Sequence, residues 1–223
     1  MLVVYTFVFS VIFKSRWSGS ESGNHAEFAV ILFCGLTVFA FFSETISRSP
    51  NLIVSNPSYV KKVIFPLEIL PVATFLASLF QGLFTLLILY AADFILFGRL
   101  PWTAVFIPVV LAPLTLFTLG LSWLLASLGV FLRDLAHIVP LALTALMFLT
   151  PVFYPTSAVP GQVTLLCELS PLAYAVEDAR RVLIWGELPR FASLLLHMTI
   201  GLLCAATGYW WFNRTRKAFA DVI

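Results

Sequence analysis

The chain has 223 residues, 61% of them hydrophobic and 11% charged, whereas soluble domains are about half apolar and a quarter charged. This is the composition of an integral membrane protein, and its formal charge of +2 gives no support to binding a polyanion such as nucleic acid. Cys34, Cys167 and Cys204 are far apart and form no CxxC pair or Cys/His cluster, which leaves them as packing residues rather than a metal or disulfide set.

Helices of about twenty residues joined by short loops allow roughly six spans in a chain of this length. Met1 leads straight into an apolar run without a basic segment or a small-residue cleavage site, so no cleavable signal peptide is evident. Residues 2–13 supply only ~18 Å of helix against a hydrocarbon core of ~30 Å. The first span therefore reads as truncated, and the natural gene product, or its close relatives, is expected to continue upstream of Met1. Tyr5, Phe9 and Phe13 recur every four residues along this span. Such a stripe suits lipid or core packing, and equally suits stacking on the apolar faces of sugar rings.

Residues 14–27 are polar and predict a solvated loop. The second span covers about 28–46. After Arg48, Ser49-Pro50 and Asn56-Pro57 each place a capping residue before proline, which predicts short helices along the membrane surface within 51–66. The third span covers about 71–97 and turns at Gly98-Arg99-Leu100-Pro101-Trp102, with an interfacial tryptophan. The fourth, about 103–132, is long enough to tilt and carries Pro108 and Pro113 as kink points. Arg133-Asp134 marks the turn into a fifth span over 135–153, closed by Tyr154-Pro155.

Residues 155–189 are moderately apolar and too few for two spans. Ser170-Pro171 is a helix start signal, and Gly186 and Pro189 are stop signals. Leu172, Val176, Ala179 and Leu183 share one face, while Glu177, Asp178, Arg180 and Arg181 fall mainly on others. This predicts an amphipathic or re-entrant helix at the membrane surface, folded against the bundle. The last span, about 191–212, carries Gly201, Ala205 and Gly208 for close helix contact, and a short basic tail follows. Lysine and arginine, counted raw, are nearly even between the two sides; with the three arginines of the re-entrant segment set aside, the excess falls with the tail, the 48–66 loop and the Arg133-Asp134 turn, which are expected in the cytoplasm.

No catalytic or metal-binding set is assigned. GxxxxGK[ST] and HExxH are absent, and Gly120-Leu121-Ser122-Trp123-Leu124 lacks the last glycine of a nucleophile elbow. His137 and His197 stand singly on hydrophobic helices, where packing or a backbone hydrogen bond accounts for them. Asp93 and Glu44 sit near the ends of their spans, within expected reach of head groups, and Gln81 is the most central polar residue of the third span. This is no carboxylate relay for ion coupling. Lys61-Lys62 suits anionic head groups or the transmission of motion from a cytoplasmic partner. Arg133 and Asp134 read as an anchor and helix cap, or as a contact joining the fourth and fifth spans.

Three stretches together, Asn56-Pro57-Ser58-Tyr59-Val60-Lys61-Lys62-Val63-Ile64-Phe65-Pro66, Gly129-Val130-Phe131-Leu132-Arg133-Asp134-Leu135 and Leu149-Thr150-Pro151-Val152-Phe153-Tyr154-Pro155, resemble permeases of type-2 ATP-binding cassette exporters. The likeness is greatest to the polysaccharide and polyol phosphate export branch, which includes O-antigen, capsule and teichoic acid permeases. It covers essentially the whole chain.

The resemblance implies an all-α, six-span permease domain over 1–223, with the first span truncated. It implies a bacterial inner-membrane homodimer with two cytoplasmic P-loop ATPase subunits that carry the ATP and magnesium, and no cofactor on this chain. The 48–66 loop would hold the coupling helix, with Asn56, Pro57, Tyr59, Lys61, Lys62, Phe65 and Pro66 facing the ATPase. Residues 155–189 would form short re-entrant gate helices on the extracytoplasmic side, and Pro151, Tyr154, Pro155, Pro171, Arg180 and Arg181 would belong to that gate. The first and fifth spans would line a channel for a lipid-pyrophosphate-linked glycan, with Tyr5, Phe9 and Phe13 stacking on the sugars. Family members usually begin with a cytoplasmic amphipathic helix and a complete first span, and often carry Asn where Ser170 stands; serine still caps a helix. Rival readings are an exporter of drugs or small lipid-like molecules, a purely structural subunit, and an intramembrane glycosyl or acyl transferase. The transferase requires at least two of Asp93, His137 and His197 to converge.

Overall fold

The structure is a computed structural model, and residues 25–61, 66–98, 101–156 and 167–222 are described. Among them the secondary structure is helical: α1 His25–Arg48, α2 Pro57–Lys61, α3 Ile69–Phe97, α4 Ile107–Phe131, α5 Leu135–Leu149, α6 Pro171–Leu183, α7 Phe191–Thr215 and α8 Phe219–Val222. Short 3-10 turns at Ser49–Asn51, Trp102–Phe106 and Arg216–Ala218 join or extend them. Tyr5, Phe9, Phe13, Lys62, Phe65 and residues 157–166 lie outside the described residues.

Four helical stretches among the described residues are long and apolar enough to cross a membrane: Glu27–Asn51, Ile69–Ile95, Trp102–Phe131 and Phe191–Ala218. α5 is apolar but has 15 residues. It stops four residues short of the expected boundary because Thr150 is extended, at φ −80° and ψ 143°, and Pro151 disfavours helical geometry in the residue before it. Leu149 and Phe148 are left with free carbonyls, and the Tyr154 hydroxyl donates to both, at 2.9 and 3.2 Å. α3 ends as its sequence suggests: Gly98 takes φ +62° and its N–H bonds to the Phe94 carbonyl at 2.8 Å, the left-handed cap that glycine adopts without strain. Pro108 sits in the first turn of α4, where a missing N–H leaves no intrahelical bond unmade.

The core is centred on α1, whose Ile31, Leu32, Cys34, Val38 and Phe42 are buried against α3, α4, α5 and α6. α4 and α7 lie together along a seam of small residues. A methyl on Gly120 or Gly208 would collide with the opposing backbone at Cys204 or Gly120, and one on Gly201 would come to 2.6 Å from the Pro113 carbonyl oxygen. Glycine lets backbones approach to this distance, so dispersion contacts replace the hydrophobic driving force that is missing between helices in lipid. The turn at Ser49–Asn51 is pressed on α4 in the same manner, with Pro50 against Gly129 and the Ser49 and Ser122 hydroxyls bonded at 2.7 Å.

α6 departs from expectation. It is enclosed by α1, α4, α7 and the Trp102–Phe106 turn, and only Glu177 and Arg181 of its residues escape full burial. Asp178 and Arg180 are both at 0% exposure, so two of the four charges placed off the apolar face are enclosed in the protein instead of lying at a membrane surface.

Gly208→Ala and Gly120→Ala are expected to destabilise the protein by about 1–3 kcal/mol through overpacking. Gly82→Ala, whose added carbon would lie an ordinary 3.6 Å from Phe41, is expected to be neutral or slightly stabilising. Thermal denaturation of the detergent-purified protein, followed by size-exclusion chromatography, checks the contrast.

Candidate functional site

α6 begins at Ser170, whose hydroxyl accepts from the Ala173 N–H at 3.4 Å, with Pro171 in the first turn. Three turns later Arg180 reaches the interior. Its Nε donates to the Ile31 carbonyl of α1 at 3.2 Å, Nη1 to the Pro151 carbonyl at 2.7 Å and Nη2 to the Val152 carbonyl at 2.7 Å. The Glu177 carboxylate stands 3.8 Å from Nη1. Pro151 and Val152 lie just beyond the C-terminal end of α5, where the helix dipole favours a cation. Gly35 supplies the space, because a methyl there would run into Nη2. Burial lowers the guanidinium to about 10, with Glu177 opposing the shift, so it is charged at neutral pH.

The other charges of α6 are also paired. Asp178 accepts from the Arg190 backbone N–H at 3.0 Å and from its Nε at 2.7 Å, tying α6 to the start of α7. Arg181 pairs with Glu187 at 2.7 Å across the turn at Gly186, which has φ +68°. Thr103 donates to the Val182 carbonyl at 2.6 Å. Arg180 and Arg181, expected together in the gate segment, therefore differ in kind: one is an interior clamp and the other a partly exposed pair.

The three groups considered for catalysis do not converge. His197 stacks on Tyr174 with ring centroids 4.3 Å apart, and its nitrogens face the Ser193 and Glu168 carbonyls at 2.7 and 3.0 Å. It lines a polar cavity of about 450 Å3 with Glu168, Tyr174, Glu177, Arg190 and Ser193, and neither Asp93 nor His137 is part of that lining. Burial pushes the Tyr174 hydroxyl up, keeping it a proton donor. His137 is exposed in the first turn of α5. Asp93 was expected within reach of head groups but is 4% exposed. Glu44 pairs with Arg48 at 2.6 Å. Gln81 is exposed beside a small cavity shared with Glu44, Ser78 and Thr85. Another cavity among the described residues, about 370 Å3, is apolar and lies between α1, α3 and α4.

At the opposite end from α6, the loop after α1 folds back on the bundle. The Asn56 side chain donates to the Leu52 carbonyl at 2.8 Å, closing the turn that starts α2. Pro57, Ser58 and Tyr59 are exposed, whereas Val60 packs toward a cluster of Ile53, Leu67, Ala126, Val130, Phe212 and Phe219. Lys61 ends the helix and Pro66 is exposed. Arg133 and Asp134 are both exposed in the turn between α4 and α5. Asp134 starts α5 through its backbone carbonyl, which accepts from His137 and Ile138 at 3.0 and 3.1 Å, and not through its carboxylate. Tyr154 caps α5, with Pro155 partly buried beside it. Sequence reasoning did not single out Gly35, Asp178 or Arg190 as parts of a site. The available signals were a glycine inside a span and an acid followed by two arginines on a short helix.

Long apolar helices with their ionic groups in paired contacts define a multi-pass helical membrane protein. Residues 1–184 match the family described as ABC-2 type transporter. The chain belongs to that family: it is a transport permease, and the ATP that drives it is hydrolysed on a separate ABC subunit. Over its full length it is 29% identical to the O-antigen export system permease protein RfbA of Myxococcus xanthus, covering 83% of that protein. Over 99% of its length it is 23% identical to the permease protein of the same name from Klebsiella pneumoniae, covering 82% of it.

Arg180→Met leaves the Pro151, Val152 and Ile31 carbonyls without their cationic donor and is expected to destabilise by about 3–5 kcal/mol. Arg180→Lys keeps the charge but loses the planar fork, and is expected to fall between wild type and Arg180→Met. Arg181→Ala removes a partly exposed pair and is expected to cost about 1 kcal/mol or less. Thermal unfolding in detergent ranks the three.

Proposed function

We propose that this chain is the membrane subunit of an ATP-driven exporter that moves lipid-linked O-antigen polysaccharide across the bacterial inner membrane. The observation that carries the reading is similarity along 100% and 99% of the chain to permeases named for O-antigen export. Two copies form the conduit, with six spans each and the C-terminus in the cytoplasm, and two ATPase subunits bind ATP and magnesium beneath them.

In this reading residues 48–66 are the coupling loop. The exposed Pro57, Ser58 and Tyr59, together with Lys61, Lys62, Phe65 and Pro66, dock on the ATPase. Residues 155–189 are the extracytoplasmic gate segment. Its α6 portion is immobilised by Arg180 and Asp178, so gating belongs to the residues around α6. Pro151, Tyr154, Pro155 and Pro171 shape the corners of that segment, Arg181 its partly exposed edge, and Arg133 and Asp134 the cytoplasmic turn. Tyr5, Phe9 and Phe13 line the pore and stack on successive sugars of a lipid-pyrophosphate-linked glycan, a grip that tolerates many hydroxyl patterns.

Purification of the epitope-tagged chain from its native inner membrane is expected to bring down a P-loop ATPase and a lipid-linked glycan. Recovery of neither would overturn the proposal. Tyr59→Glu, which places a charge on the docking surface, is expected to reduce the recovered ATPase about tenfold or more, as for a central interface residue. The amount of chain in the membrane should stay unchanged.

A further inference from the structure

We propose that the segment following the last span, Thr215 to Phe219, positions the coupling helix and is itself part of the coupling apparatus; this rests on the reading of α2 as the coupling helix. α2 has five residues, far fewer than an isolated helix needs to persist in water. Its placement therefore comes from what it packs on.

The packing is specific. Phe219 is completely buried, although it follows the basic residues Arg214, Arg216 and Lys217. Its ring meets Phe212 of α7 at 5.5 Å and Phe131 of α4 at 6.0 Å. The cluster it completes draws Ile53 from one flank of the coupling loop, Leu67 from the other, and Ala126 and Val130 from α4, with Val60 of α2 packed against it. α8 touches both α2 and α4.

Polar contacts surround this dry cluster and join the same elements. Arg216 pairs with Glu68 at 3.2 Å, and the Glu68 carbonyl accepts from the Trp123 indole at 3.0 Å. The Ser127 and Thr215 hydroxyls bond at 2.7 Å, and Trp123 packs edge-on to Tyr209 at 5.2 Å. Glu68 immediately precedes α3, so the pair ties the exit of the coupling loop to the tail of α7.

A close-packed apolar cluster transmits displacement instead of absorbing it. Force on the exposed side of α2 enters through Val60 and is delivered by Phe219 and Phe212 to α4 and α7, spans to which α2 has no direct chain connection. The loop also bears directly on α4 through Pro50 and Ser49, and the tail adds α7 to the spans on which it pulls. Phe219 and Arg216 are positioning residues in this scheme, and neither touches the ATPase or the cargo.

The test uses the permease–ATPase complex in membrane vesicles, with a spin label at Ser55→Cys, an exposed loop position outside the docking surface, in a chain whose three cysteines are replaced by alanine. Phe219→Ala is expected to keep ATPase recovery within about twofold while ATP hydrolysed per glycan exported rises about tenfold. The label at position 55 should gain mobility. Arg216→Glu and Glu68→Arg are each expected to raise the same ratio about threefold, as for reversal of a partly exposed pair, and the double reversal to restore it.

Unchanged coupling ratio and label mobility in Phe219→Ala and in both single reversals would overturn the proposal, as would a double reversal no better than either single change. If Phe219→Ala fails to fold, the charge reversals decide alone. A wild-type complex that exports no glycan, yet shows the expected label mobility in the variants, would count against the O-antigen reading and leave the positioning role standing.

Discussion

The end of the bundle that holds α6 depends on one buried cation. Placing a guanidinium in an apolar interior costs several kcal/mol, and Arg180 is tolerated because its three hydrogen bonds go to carbonyls at 2.7–3.2 Å with Glu177 nearby. Those carbonyls belong to α1 and to the corner after α5, so a single side chain on α6 holds three parts of the chain together. α5 can stop early, before Pro151, because the polar groups exposed there are taken up by Arg180 and Tyr154. Gly35 exists as a space for the same group.

The two ends of the bundle are built from different physics. Around α6 the ties are ionic and charge-assisted, directional and short, and they hold that helix against the core. Around α2 the tie is a dry cluster of aliphatic and aromatic side chains, bordered by the Arg216–Glu68 pair. The glycine seam between α4 and α7 connects them: backbones in contact at Gly120, Gly201 and Gly208 have little freedom to slide independently.

Much of this was legible in the sequence where the signal is length or chain punctuation. The spans beginning near 28, 71, 103 and 191 follow from apolar runs long enough for a bilayer, and the helix starts at Pro57 and Pro171 and the cap at Gly98 follow from local backbone chemistry. The motif around Asn56, that around Arg133 and that around Tyr154 carried the family resemblance. What was not legible are contacts whose partner is the main chain. Arg180 on a helical wheel reads only as a charge off the apolar face, because the Ile31, Pro151 and Val152 carbonyls that satisfy it have no side-chain signature. Asp178 is hidden in the same way, since half of its pairing is to the Arg190 N–H. Asp93, read as close to head groups, lies inside the protein because helix length alone does not give rotation about the axis. The fifth span was drawn too long because apolarity continues to Phe153 while the backbone breaks at Thr150.

The central claim is that this chain performs no chemistry of its own and moves its cargo only when a partner ATPase works on its cytoplasmic end. The most direct measurement is glycan passage in sealed vesicles holding the purified chain, with and without the ATPase, and lipid-linked O-polysaccharide initially on the ATPase-facing side. The account predicts that chemically unaltered glycan reaches the far side only when both proteins and ATP are present. Covalent change of the glycan by this chain alone, or no ATP-dependent passage with both proteins folded and bound, would contradict it.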